Sequence, residues 1–219
     1  MDNVTDFKQE ITVDNSDFIK LNTSQVFYSS TGGNEQWTPR YAVEMIIPYI
    51  QHLKNKTFWC PFDTEESNFV KVLKEKGFKV VFSHLALGQD FFTYQPTEWD
   101  VLLSNPPYQD KAKFMERADS FGKPWALFLP LNITADSVLN RMFGDCSELT
   151  ILMPNKRTRF FNKNKPEAKQ SQPTFKASYI GRNFFNKQFQ GVDLPDKLDL
   201  SDPNCSILDE FNCIKKSMK

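Results

Sequence analysis

The chain has 219 residues, with 27 Lys plus Arg against 27 Asp plus Glu, so no global positive field marks it as a nucleic-acid protein, although a local basic patch can suffice. Two histidines and four scattered cysteines (Cys60, Cys146, Cys205 and Cys213) without a C-x-x-C pair argue against a metal site and for reduced thiols in a cytoplasmic protein. No basic-then-apolar leader opens the sequence, and its longest apolar run, residues 125–131, is too short to span a bilayer.

Residues 1–36 are polar, end in Ser29-Ser30-Thr31-Gly32-Gly33-Asn34, and read as a flexible lead-in. A helix is predicted over 38–53, with Thr38 as N-cap, Pro39 at the first helical position, and a kink or early stop at Pro48. Residues 57–60 form a short buried strand. A helix follows over about 64–76, where Asp63 and Glu66 have capping-box spacing and Gly77 is the stop. Strands are predicted at 78–82, 99–104 and 125–129, with helices over 110–120 and 134–143. This alternation implies an α/β fold, a mostly parallel sheet covered on both faces. Residues 149–153 and 174–184 are strand-like with no helix between them and are predicted to pair antiparallel as a hairpin at one sheet edge. The folded domain therefore spans 37–190, and 191–219 is a loosely packed tail or a small docking segment.

Asn105-Pro106-Pro107-Tyr108 follows the strand at 99–104, at a strand carboxyl end where open α/β sheets bind ligands. A rigid Pro-Pro turn closing a loop is the structural alternative. The functional reading starts from the poor nucleophilicity of an exocyclic amine whose lone pair is delocalised into an adenine ring. A pocket that accepts both N–H protons favours the localised lone pair as an electrophile arrives. The Asn105 side-chain oxygen and the Pro106 carbonyl are the two candidate acceptors, Pro106 and Pro107 stiffen the turn, and Tyr108 can stack on an extruded base.

The tetrapeptide resembles the catalytic motif of S-adenosylmethionine-dependent adenine-N6 methyltransferases, and the upstream segments follow the order of the gamma group of that family. Trp37-Thr38-Pro39 is similar to the segment that closes over the methionine part of the cofactor. Next come the first strand and turn, Phe58-Trp59-Cys60-Pro61-Phe62-Asp63, then the second strand, Gly88-Gln89-Asp90-Phe91-Phe92, and last the tetrapeptide. The resemblance covers roughly residues 37–185. It implies a Rossmann-like methyltransferase fold, with a mostly parallel seven-stranded sheet and a terminal antiparallel hairpin. It further implies methyl transfer to adenine N6, with DNA preferred over RNA as the nucleic-acid partner. Thr38, Pro39, Cys60, Asp63, His84, Asp90 and Phe91 fall on the cofactor side, Asp90 bonding the cofactor's adenine and Phe91 packing on it. Small phage and bacterial proteins with W-C-P-F-D, S-H, G-x-D-F-F and N-P-P blocks are also similar.

Two positions depart from the family pattern. The turn Asp63-Thr64-Glu65-Glu66-Ser67-Asn68 has no glycine, so side chains are expected to crowd the backbone's approach to a ligand. Its acids disfavour phosphates but tolerate a sulfonium and an ammonium. Ser83-His84 stands where an acid grips the ribose, and His84 either bonds one hydroxyl or has a surface role. On the substrate side, residues 155–172 carry Lys156, Arg157, Arg159, Lys163, Lys165 and Lys169 against Glu167, interleaved with Phe160 and Phe161. They are candidates for phosphate contact, with a solvated loop as the rival reading. Phe175 is a candidate for the target base. The sequence is also compatible with an RNA adenine methyltransferase or a catalytically degenerate relative that binds cofactor, nucleic acid or a host factor.

Overall fold

The computed structural model describes residues 36–162 and 175–208. The chain enters with β1 (Gln36–Trp37) and α1 (Arg40–Glu44), followed by 3₁₀ turns at Ile47–Tyr49 and Gln51–Leu53. The stop anticipated at Pro48 is real, since proline suits the start of the 3₁₀ turn and cannot continue an α-helix. The predicted cap shifts by one residue. Pro39 is extended and is itself the N-cap, which leaves Thr38 outside the helix.

β2 (Thr57–Cys60), α2 (Asn68–Glu75), β3 (Lys79–Phe82), β4 (Val101–Ser104), α3 (Lys111–Ser120), β5 (Trp125–Pro130) and α4 (Ser137–Phe143) follow the predicted alternation. β6 (Leu149–Pro154), β7 (Phe161–Asn162), β8 (Ala177–Arg182) and β9 (Phe189–Val192) complete the strands. The main sheet has seven strands in the order β3-β2-β4-β5-β8-β6-β9, and β1 and β7 form a separate ribbon. Only β8 runs antiparallel to both of its neighbours in the main sheet.

The central strands are apolar throughout because both faces are covered. Phe58, Cys60, Val101, Leu103, Ala126 and Phe128 share one core with Tyr41, Phe69 and Leu73 of α1 and α2. Trp59, Leu102, Trp125 and Leu127 alternate onto the other face, against Phe114 and Met115 of α3 and Leu139 of α4. α2 ends as predicted, with Gly77 at a φ of 76°.

Several sequence expectations fail for tertiary reasons. The Asp63–Glu66 capping box does not form: α2 is capped at Ser67, Asp63 turns inward, and Glu66 pairs with Lys71 at 2.7 Å. Gly88 to Phe92 is turn rather than strand, with the Asp90 carboxylate accepting from Phe92 N–H at 2.9 Å. The β6/β8 pair is antiparallel as predicted but does not lie at the sheet edge, because β8 inserts between β5 and β6 and the unpredicted β9 lies outside β6. Up to residue 208 the segment after β9 packs on the domain, as in the docking alternative for 191–219. Leu194, Leu198 and Cys205 are buried, Arg40 N–H donates to the Pro203 carbonyl at 2.9 Å, and Ser206 Oγ and Ile207 N–H both donate to the fully buried Glu44. Cys205 is disulfide-bonded, contrary to the expectation of four reduced thiols, whereas Cys60 and Cys146 are free. Its place in a docked segment, which the polar local sequence did not signal, is the difference. The lead-in up to residue 35, Cys213 and the tail beyond 208 lie outside the described residues.

Candidate active site

Of the predicted site residues, Thr38, Cys60, Asp63 and Asn105 lie together at the carboxyl ends of β2 and β4. β4 ends in Ser104, fully buried, and the next residue is Asn105. Ser104 Oγ donates to Asp63 Oδ2 at 2.5 Å, tying the end of β4 to the turn after β2. Asn105 Nδ2 donates to Thr38 Oγ1 at 3.0 Å, bridging 67 positions in sequence. Asn68, first residue of α2, donates its side-chain amide to the Thr38 carbonyl at 2.8 Å. Three hydrogen bonds thus knit four distant segments around one amide. The Asn105 Oδ1 acceptor on that amide is buried and has no partner among the described residues. Such a group costs about 1–3 kcal/mol and calls for an explanation.

Asp63 is 6% exposed. Burial pushes its carboxyl up to about 7, and the Ser104 and Ser67 hydroxyls oppose that rise. Cys60, wholly buried at the end of β2, has its thiol pushed well up by burial and by the neighbouring Asp63. The turn without glycine does not crowd inward: Glu65 and Glu66 face solvent and pair with Lys74 and Lys71. Three of its backbone donors are satisfied within the protein, Asp63 N–H by the Ser83 carbonyl, Thr64 N–H by Ser67 Oγ, and Ser67 N–H by the Thr64 carbonyl.

Tyr108 is packed between Phe160 and Phe175, with ring centroids 6.0 and 5.5 Å away and both pairs nearly perpendicular. Its hydroxyl is buried without a partner, and burial raises it well above the usual phenol range. Phe175 therefore does reach the tetrapeptide, though on Tyr108 itself. Pro106 is buried and Pro107 partly so.

The remaining candidates are distributed less tightly. His84 Nδ1 accepts from Ala86 N–H at 3.0 Å and caps the 3₁₀ turn Leu85–Leu87. Phe91 is buried in an aromatic cluster with Phe62 at 4.8 Å and Trp59 at 5.5 Å. Lys156 is committed to the docked segment, donating to the Pro195 carbonyl at 2.6 Å and pairing with Asp196 at 3.3 Å. Arg157 is exposed. Arg159 N–H donates to the Tyr41 hydroxyl at 3.0 Å, while its side-chain Nε is buried without a partner. Lys163, Lys165, Glu167 and Lys169 lie outside the described residues.

The sequence reading missed Ser104, Asn68, Phe160 and Ser83 as site residues. Ser83 accepts from Trp59 Nε1 at 2.9 Å and from Asp63 N–H through its carbonyl, clamping β3 to β2. Ser104 left one trace, a small polar residue closing the apolar run Val101-Leu102-Leu103. Among the described residues, no cluster of three or more His, Cys, Asp or Glu could hold a metal, and no helix is long and apolar enough to cross a membrane. No known protein family matches the chain, and comparison with curated proteins finds no significant relative.

Proposed function

We propose that the chain transfers a methyl group from S-adenosylmethionine to the exocyclic N6 of adenine in DNA, on a Rossmann-like methyltransferase fold. The observation that carries this reading is the Asn105 Oδ1 acceptor, buried and unpartnered at the carboxyl end of β4. An acceptor left dry in the folded protein is stabilised by an incoming N–H donor, and most strongly when that donor gains positive charge during transfer. The Pro106 carbonyl is the second acceptor in this reading. The sheet order, with β8 reversed between β5 and β6, supports the fold assignment.

The site fits a cationic cofactor and not a phosphate-bearing one. Asp63 is a carboxyl inside the site, Glu65 and Glu66 flank it, and the backbone donors of Asp63, Thr64 and Ser67 are already paired. S-adenosylmethionine supplies the electrophilic methyl group, and Asp63, His84 and Asp90 are the residues that would hold it. Tyr108 and Phe175 offer flat apolar surface to the extruded base once their mutual packing opens.

The test is tritiated methyl transfer on duplex DNA, single-stranded DNA and tRNA. Duplex DNA is the substrate in this reading, and Asn105→Ala lowers the rate by about 10²–10³-fold with fold and cofactor binding intact. Full activity in that variant ends the mechanism, and transfer only to tRNA changes the substrate to RNA. The paired turn N–H groups and the core position of Phe91 favour one second reading, a catalytically degenerate member of the same fold. Absence of calorimetric binding at millimolar S-adenosylmethionine selects it.

A further inference from the structure

Thr38 touches Asn105 where the resemblance leads one to expect contact with the cofactor. Its Oγ1 accepts from Asn105 Nδ2 at 3.0 Å, it is 8% exposed, and its carbonyl is held by Asn68 Nδ2 at 2.8 Å. Arg40 N–H, two residues on, is bonded to the Pro203 carbonyl at 2.9 Å. The hydroxyl is thus fixed from both sides on a β-branched side chain with few rotamers. A side-chain amide can turn over, exchanging its oxygen and nitrogen. Turned over here, the amide would keep its bond to Thr38, whose hydroxyl donates as well as accepts, but would set two donors where the buried Oδ1 now stands. The far side of the amide therefore sets its sense, and Thr38 fixes its position.

We propose that Thr38 is a positioning residue that locks the Asn105 side chain in place at the carboxyl end of β4, and that it acts on the transfer step rather than on cofactor affinity. This rests on the methyltransferase reading for its catalytic consequence and on the hydrogen-bond geometry alone for the lock. The lock fixes the position of the Asn105 acceptor before substrate arrives, so no reorganisation is needed as charge develops on the amine.

Three chains test it: wild type, Thr38→Val and Thr38→Ser. Thr38→Val is expected to lower kcat for methyl transfer by about 10–100-fold and to leave the calorimetric Kd for S-adenosylmethionine within about twofold. Thr38→Ser restores kcat to within about threefold of wild type. Asn-selective ¹⁵N labelling reads the lock without turnover. The Asn105 side-chain protons exchange slowly with solvent in wild type and Thr38→Ser, and fast in Thr38→Val. A Kd that rises while kcat holds, or exchange unaffected by Thr38→Val, overturns the proposal. A wild-type chain that transfers no methyl group to any substrate defeats the methyltransferase reading instead, and proton exchange then decides the lock alone.

Discussion

Replacing Asp63 with asparagine tests whether a buried carboxyl sits between the ends of β2 and β4 with no basic partner among the described residues. Burial lifts its titration from 3.8 to about 7, with only the Ser104 and Ser67 hydroxyls opposing. A rise of that size corresponds to about 4 kcal/mol between the protonated and ionised folded forms. The folded value is raised above the unfolded one. The stabilisation is therefore fully present below pH 3.8 and is lost as pH rises through about 7. Asp63→Asn keeps an oxygen that can accept from Ser104 Oγ and carries no charge to desolvate. Urea unfolding of both chains at steps from pH 4 to 8 should show the variant gaining on wild type by about 4 kcal/mol over that range, most of it before pH 7. Parallel stability curves for the two chains would refute the claim that this carboxyl ionises inside the fold at that cost.

Gly181→Ala should lower stability by about 3 kcal/mol and the melting temperature by roughly 10 °C, because an added Cβ would lie 2.7 Å from Ala126 Cα and overlap the Trp125 carbonyl of β5. Glu44→Ala strips the buried acceptor shared by Arg40, Ser206 and Ile207. A loss of about 2–3 kcal/mol and faster proteolysis within residues 199–208 are expected, checked by denaturation and by mass spectrometry of digests. Under the proposed function, Arg157→Ala should weaken DNA binding and reduce the salt slope by about 1, while Lys156→Ala, whose ammonium already serves Pro195 and Asp196, should change neither. Fluorescence titrations at several salt concentrations separate the two.

Legibility in the sequence followed how local each determinant is. The strands at 57–60, 101–104 and 125–130 announce themselves because burial on both faces forces unbroken apolar runs. β9 carried no such signature: Phe189 is 60% exposed, Gly191 adds no side chain, and only Val192 is buried. Asp63 and Glu66 have the spacing of a helix cap, but the Ser104 hydroxyl lies 41 residues away in sequence and draws Asp63 inward. Local pattern was outweighed there by a tertiary contact. The gathering of Thr38, Asp63 and Asn105 was legible as motif order. Their mutual hydrogen bonds were not, because spacing does not say which side chain faces which. The insertion of β8 is equally invisible, since antiparallel pairing with β6 fixes a neighbour but not the strand on the other side.

That insertion governs the order in which the sheet can be assembled. β5 leaves the ribosome about fifty residues before β8, its partner on one side, and β6 pairs only with β8 and β9, both of which come later in the chain. Until β8 emerges, six buried residues of β5 have an unsatisfied flank, and β6 has no seat in the sheet at all. Closure of the molecule therefore waits for a late, non-local event of the slow kind. A nascent chain stalled before residue 177 is the form most exposed to capture by chaperones or by its own copies.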